Sequence, residues 1–417
     1  MTGVGLLEGV RVLDLSIFLS GPFATQLLGD LGAEVIKVEP PGGDHTRVLP
    51  PNFIGEDSAY YLSCNRNKRS AVIDYRTPEG AALIEQLATK CDVFFENLRP
   101  GAMAKSGLSY ERLRQINPRL VYCSLSGFGQ DGPYRTRPAY DMVIQALSGG
   151  MSLTGERDGR PVRAGIPLAD LAAGQYAVMG ILAALHHRNR TGEGRFIDIG
   201  MLDCQVAMLS YQAAYYLASG KVPGPQGREH ESVPSYRAFT ARDGRDVVVT
   251  ANTDRMWRSL CEAVERIDLR DDPRMATRAQ RYYVRDEIWA ALEAAFLKRD
   301  AADWVRVLHA HEVPVAEVNT LDRVMADPQV LHREMNLELR DEARGLSARV
   351  AGNPFKVPES GAQQHRYPPL LGEDTERVLS DILGLPPGQV RALMDRKVVA
   401  GHEPRGRPAA ASQGGGA

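Results

Sequence analysis

Residues 10–39 read Val10-Arg-Val-Leu-Asp-Leu15, Ser16-Ile-Phe-Leu-Ser-Gly-Pro22, Phe23 to Leu31, and then Glu34-Val-Ile-Lys-Val-Glu39. The first and last of these are short apolar runs that read as strands. Phe23 to Leu31 carries its apolar residues at helical spacing, and Pro40-Pro41-Gly42-Gly43 ends the unit. The same rhythm continues outward. Ser70-Ala-Val-Ile-Asp74 reads as a strand, Pro78 to Lys90 as a helix with Thr77 as N-cap and proline at its first position, and Asp92-Val-Phe-Phe95 as a strand. A helix near 110–116 precedes Leu120-Val-Tyr-Cys-Ser124. Strands alternating with helices imply parallel βαβ units, hence an α/β, doubly wound, Rossmann-like sheet with ligands at the carboxyl ends of its strands.

Further along, residues 171–188 form a long apolar helix and 195–199 a strand. The expected organisation is a large α/β domain from residues 1–205 and 331–400, a connection over 206–224, a smaller α+β domain over 225–330, and a disordered tail over 401–417 rich in Gly, Ala, Pro and Ser. The length of 417 residues agrees with two or three domains of roughly 100–200 residues each.

Composition narrows the function. The chain is 43% hydrophobic and 24% charged, with 50 basic and 52 acidic side chains well mixed. That balance argues against nucleic-acid binding, which wants a concentrated positive surface. Five scattered cysteines without CxxC spacing fit a reducing compartment. The N-terminal stretch has no positive flank and carries Glu8 within its apolar run, unlike a signal peptide. No run reaches the ~18 uninterrupted apolar residues of a membrane span. The expectation is a cytoplasmic protein with no membrane partner.

The turn after the first strand lacks G-x-G-x-x-G, and the chain has no P-loop, HExxH or GxSxG. The cluster Asn65-Arg-Asn-Lys-Arg69, with Arg47, Arg99 and Lys105 in other connections, carries enough positive charge for a phosphate-bearing small molecule. Coenzyme A fits as well as a nucleotide does. Asp170 lies in Ala164-Gly-Ile-Pro-Leu-Ala-Asp170-Leu-Ala-Ala-Gly174, immediately before the apolar helix, and reads first as an N-cap. In that position the helix amides and dipole are expected to keep its carboxylate ionised at neutral pH. The small residues around it leave room for a bulky thioester, and an ionised, uncrowded carboxylate is what covalent acyl transfer needs.

The chain resembles the class III CoA-transferases, the family of formyl-CoA transferase and carnitine CoA-transferase, from about Gly9 to Val399. The resemblance rests on motifs in order: Gly21-Pro-Phe-Ala-Thr through Val38-Glu39, Asn67-Lys-Arg-Ser70, Glu96-Asn-Leu-Arg-Pro-Gly101, Ser126-Gly-Phe-Gly-Gln-Asp-Gly-Pro133, Tyr140-Asp141 leading into Gln145-Ala-Leu-Ser-Gly149, Thr191-Gly-Glu-Gly194, and Pro369-Leu-Leu-Gly-Glu-Asp-Thr375. It implies transfer of CoA from an acyl-CoA donor, succinyl-CoA among the candidates, to a carboxylic acid, through aspartyl anhydride and aspartyl-CoA thioester intermediates. Asp170 is the implied nucleophile. No metal and no tightly bound cofactor are implied, CoA being substrate. Implied CoA contacts are Phe18, Leu19, Ser20, Asn67, Lys68, Arg69, Asn97, Leu98, Arg99, Lys105, Tyr140 and Asp141. The family fold implies an interlocked homodimer of ring-shaped subunits.

Departures bear on the substrate. Leu19 and Pro40 stand where formyl-CoA transferase has Gln and Arg, which removes the grounds for expecting oxalate and formyl-CoA. The family's glycine loop is replaced by Gly224-Pro-Gln-Gly-Arg-Glu-His230, where Arg228 and His230 are candidates to meet the distal carboxylate of a dicarboxylic acid. An α-methylacyl-CoA racemase is the nearest alternative. Such enzymes place a His-Asp pair where this chain has Tyr140-Asp141, and a tyrosine with a pKa near 10 is a poor base at neutral pH. A catalytically silent CoA-binding protein is a further alternative, and Asp170 argues against it.

Overall fold

The strand–helix–strand reading of residues 10–39 becomes β1 (Arg11–Asp14), α1 (Ser20–Asp30) and β2 (Glu34–Glu39) in a computed structural model that describes residues 5–360 and 365–405. β1 and β2 lie parallel, with Val12 beside Val35 and Leu13 beside Ile36. The chain adds β3 (Lys68–Ile73), β4 (Val93–Glu96), β5 (Val121–Ser126) and β6 (Phe196–Gly200). Together with an antiparallel edge strand, Val399–Ala400, they form a seven-stranded sheet in the order edge strand, β3, β2, β1, β4, β5, β6. Growth of the sheet therefore reverses direction between β1 and β4, which opens a crevice at their carboxyl ends.

Successive residues of each strand serve opposite layers, which is why the strands are continuously apolar. Val12, Val35, Val93 and Val121 pack against α1 and against a 24-residue helix, α3 (Leu168–Thr191), that follows a shorter helix, α2 (Asp141–Leu147). Leu13, Ile36, Phe94 and Tyr122 pack the other face with the helices Pro78–Ala88, Thr375–Leu383 and Pro387–Asp395. α3 runs three residues further at each end than the periodicity implied. By length and composition it is apolar enough to cross a membrane, yet half of that apolar stretch is buried in this layer.

The described residues fall into two compact units. The first takes the described residues up to Ser148, Gly165–Ser210 and those from Pro328 onward, the second Gly149–Ala164 and Tyr211–Asp327. The second unit thus begins earlier than the expected 225 and also draws in 149–164. The stretch 206–224, expected as a connection, includes the helix Ser210–Ser219. Within this unit an antiparallel sheet runs in the order Val315–Glu317, Asp246–Thr250, Val233–Thr240, Glu229–His230. Its core holds Phe239 stacked on Phe296 and the buried Trp257 and Trp304. Of the tail expected to be disordered, residues up to Arg405 are described, and Arg405 donates to Asp57 at 2.6 Å. Residues 406–417 lie outside the described residues.

The first unit buries charge in pairs. Lys37 donates to Asp44 at 2.9 Å and to the Ser16 carbonyl at 2.8 Å; Arg47 pairs with Glu39 at 2.6 Å. Each ion is fully enclosed with a partner, the condition under which charge is tolerated in a core.

Candidate active site

Four strand ends of the first unit converge on one cavity of about 370 Å³. Ile17, Phe18 and Ser20 come from the turn after β1, and Asn97, Leu98, Arg99 and Pro100 from the turn after β4. Ser126 and Gly127 follow β5, and Met201 follows β6. Tyr140, Asp141 and Met142 enter from the start of α2, and Asp170 from the first turn of α3. The crevice lies where the sheet reverses.

The turn after β1 is held in a strained form. Phe18 has φ of 63°, in the left-handed region that residues with a Cβ rarely adopt. Three contacts keep it there. Asn97 receives the Ile17 amide and returns a bond to the Ile17 carbonyl, both at 2.8 Å. Asp44, braced by Lys37, accepts the Phe18 amide at 3.3 Å. The Phe18 ring stacks on His45 at 5.7 Å and meets the edge of Tyr140 at 5.8 Å.

Asp170 is not the N-cap of its helix. Pro167 occupies that position, and the free amides of the first turn are taken by another carboxylate. Asp141 accepts Ala169 N–H at 2.8 Å and Asp170 N–H at 3.4 Å, and its other oxygen accepts Gln145 Nε2 at 2.7 Å. The Asp170 side chain is thereby left free to face the cavity. Burial, and then the charge of Asp141, push its pKa up from 3.8 to about 7, against a hydrogen bond from Ser20 that works downward. The expectation of a fully ionised carboxylate is therefore corrected: desolvation and a neighbouring anion outweigh the helix terminus, because Asp141 has already engaged the amides that would have stabilised Asp170.

Of the residues expected around CoA, Phe18, Ser20, Asn97, Leu98, Arg99, Tyr140 and Asp141 line this cavity. Leu19 is the N-cap residue of α1, its carbonyl receiving Phe23 N–H at 2.8 Å, and is not among the lining. Lys105 is exposed at the end of a short helix outside it. Asn67, Lys68 and Arg69 are elsewhere altogether. They enter the sheet at the amino end of β3, while the cavity lies at the carboxyl ends. Lys68 is enclosed, donating to Asp14 at 3.1 Å and to Thr25 at 2.8 Å; Asn67 donates to Asp30 at 2.7 Å and Arg69 to Glu34 at 2.8 Å. In this structure they tie α1 and β2 to β3. Arg228 and His230 belong to the second unit and have partners there. Arg228 is paired with Asp246, and His230 is stacked between Tyr211 and Tyr236 at 5.5 and 5.4 Å.

The cavity also contains residues that sequence reasoning passed over. Arg135 and Arg137 lie on its rim, the latter with its guanidinium 3.6 Å from the centre of the Tyr134 ring. Their signal was the run Tyr134-Arg-Thr-Arg-Pro138 just before Tyr140. Tyr60 lines the cavity as well, its phenol pushed upward by burial and by nearby anionic groups including Asp170, so it remains a hydrogen-bond donor. Nothing local to Tyr60 marks it.

Known proteins share this architecture. A solved structure described as a CAIB/BAIF family protein from Brucella suis superposes with a TM-score of 0.79 at 36% identity, covering 91% of this chain and all of that one. The succinyl-CoA:glutarate CoA-transferase of Homo sapiens is 40% identical over 97% of this chain and 92% of its own length. The succinate–glutarate CoA-transferase of Agrobacterium fabrum is 40% identical over 90% of this chain and 95% of its own. The profile of CoA-transferase family III matches residues 7–375. The ordered motifs, the crevice at the sheet reversal and these matches have one reading: this chain belongs to CoA-transferase family III.

Proposed function

We propose that the enzyme transfers CoA from succinyl-CoA to glutarate or a dicarboxylic acid of similar length, with Asp170 as the nucleophile. The observation that carries this reading is the Asp170 carboxyl at the start of α3, freed by Asp141 to face a cavity with Arg99, Arg135 and Arg137 on its walls. The names of the relatives support the choice of donor and acceptor. The arginines suit the phosphates of CoA and a free carboxylate.

In the proposed cycle the Asp170 carboxylate attacks the thioester carbonyl, forming a C–O bond and expelling CoA thiolate. The thiolate attacks the aspartyl carbonyl of the anhydride, releasing succinate and leaving an aspartyl-CoA thioester. Glutarate then attacks that carbonyl and expels thiolate, which finally attacks the glutaryl carbonyl, giving glutaryl-CoA and restoring Asp170. Every step exchanges one acyl bond for another and needs no net proton. We assign the working form as a homodimer. The exposed apolar side chains of Val143 and Leu147 on α2 and Met179 on α3 support that assignment.

The test mixes the enzyme with succinyl-CoA and glutarate and follows new CoA esters by mass. Glutaryl-CoA should form, and Asp170→Asn should reduce its rate at least ~10³-fold, as loss of a nucleophile does. Undiminished exchange by Asp170→Asn would falsify the nucleophile. Deuterium entering the α-position of a branched acyl-CoA, without exchange, would point instead to a racemase.

A further inference from the structure

Ser20 is the first residue of α1, 4% exposed, and lines the cavity beside Asp170. Its Oγ accepts a hydrogen bond from Asn97 Nδ2 at 3.3 Å, the same amide group that latches the Ile17 carbonyl. One lone pair is thus occupied and the O–H is left to donate into the cavity that Ser20 and Asp170 both line, where it draws the Asp170 carboxyl toward its ionised form. The backbone fixes this meeting. α1 and α3 approach so closely that a Cβ on Gly174, one turn beyond Asp170, would lie 2.8 Å from the Ser20 carbonyl oxygen.

We propose that the Ser20 hydroxyl, aimed by Asn97, orients Asp170 and stabilises the negative charge that forms on the side-chain carbonyl oxygen of Asp170 itself. The proposal rests on the covalent reading above. When CoA thiolate attacks the aspartyl carbonyl of the anhydride, a C–S bond forms and the C=O electron pair moves onto oxygen, next to Ser20. Collapse restores the carbonyl and breaks the C–O bond to the departing succinate carboxylate. The same oxygen is charged again when glutarate attacks the aspartyl thioester. Ser20 keeps its proton throughout; it is a donor to an oxyanion on the enzyme, complementing whatever donors serve the oxyanion on the substrate. In the resting enzyme the same bond favours the ionised carboxylate.

The experiment measures succinyl-CoA-to-glutarate exchange for Ser20→Ala, Ser20→Cys and Ser20→Thr, with pH profiles of kcat/KM and with melting curves to verify folding. Ser20→Ala and Ser20→Cys should lower kcat by about 100-fold or more with little change in KM for succinyl-CoA, the cost of one lost oxyanion donor. Both should also move the rising limb of the pH profile upward. Ser20→Thr, which keeps the hydroxyl, should recover most of the rate. Equal kcat and an unmoved limb in folded Ser20→Ala, or failure of Thr to outperform Cys, overturns the proposal. Asp170→Asn run in parallel separates the two ideas. If it is inactive while Ser20→Ala is unaffected, only the role of Ser20 falls; if it remains active, the covalent reading falls first.

Discussion

Asp170 must be ionised to attack a thioester, yet its surroundings disfavour the charge. Burial and Asp141 raise its pKa from 3.8 to about 7. The folded protein therefore holds a proton that the unfolded chain releases above about pH 4. The contribution of Asp170 to stability therefore falls as pH rises from about 4 to about 7 and levels off beyond. Asp170→Asn removes the penalty. The inactive variant should exceed the parent by roughly 1–3 kcal/mol in denaturant unfolding at pH 8, after allowance for partial exposure, and by nothing at pH 3.5. In the active enzyme, kcat/KM should rise with pH through a group titrating at about 7, and Asp141→Asn should lower that midpoint while weakening the start of α3. A local motif exposed Asp170 because small residues before an apolar helix are informative by themselves. The same motif misjudged its charge, because the residue that takes the helix amides lies 29 positions earlier, at Asp141. Asn67, Lys68 and Arg69 illustrate the converse. A basic cluster reads alike whether its lysine meets a ligand or neutralises a buried aspartate, and only the tertiary position of Asp14 decides.

At the scale of elements, the site depends on how near α1 comes to α3. Gly174 permits that approach, since an added Cβ would lie 2.8 Å from the Ser20 carbonyl oxygen and 2.9 Å from the Phe23 ring. Gly174→Ala should therefore force the two helices apart. We expect a loss of about 1–3 kcal/mol in chemical denaturation and a disproportionate drop in exchange rate, because Asp170 and Ser20 move relative to each other. A normal rate in a folded Gly174→Ala enzyme would show that the spacing is not limiting. The strands and long helices were legible in the sequence because their apolar periodicity is a property of neighbouring residues. The crossing of α1 and α3 was not, since it depends on which glycine faces which carbonyl across a long separation in the chain.

At the scale of the whole molecule, the exposed apolar side chains of α2 and α3 bear on assembly. Leu147→Glu places a charge among them at an exposed side chain that does not line the cavity. Sedimentation should show the parent at twice the mass of one chain and the variant shifted toward a single chain, with exchange activity falling in step. A parent that sediments as one chain while fully active would rule out the homodimer. The first unit is also assembled from distant parts of the chain. Residues 399–400 pair antiparallel with β3 at 72–73, and the helices Thr375–Leu383 and Pro387–Asp395 cover the same face of the sheet. A ribosome delivers β3 long before the strand that shields its outer edge. Until residue 400 has cleared the exit tunnel, β3 presents unpaired backbone to any neighbouring nascent chain. The outer edge of this sheet is therefore closed late, by the strand at 399–400. A stop codon that deletes the last turn of Pro387–Asp395 and the remaining C-terminal residues should do more harm to yield than many substitutions in the cavity.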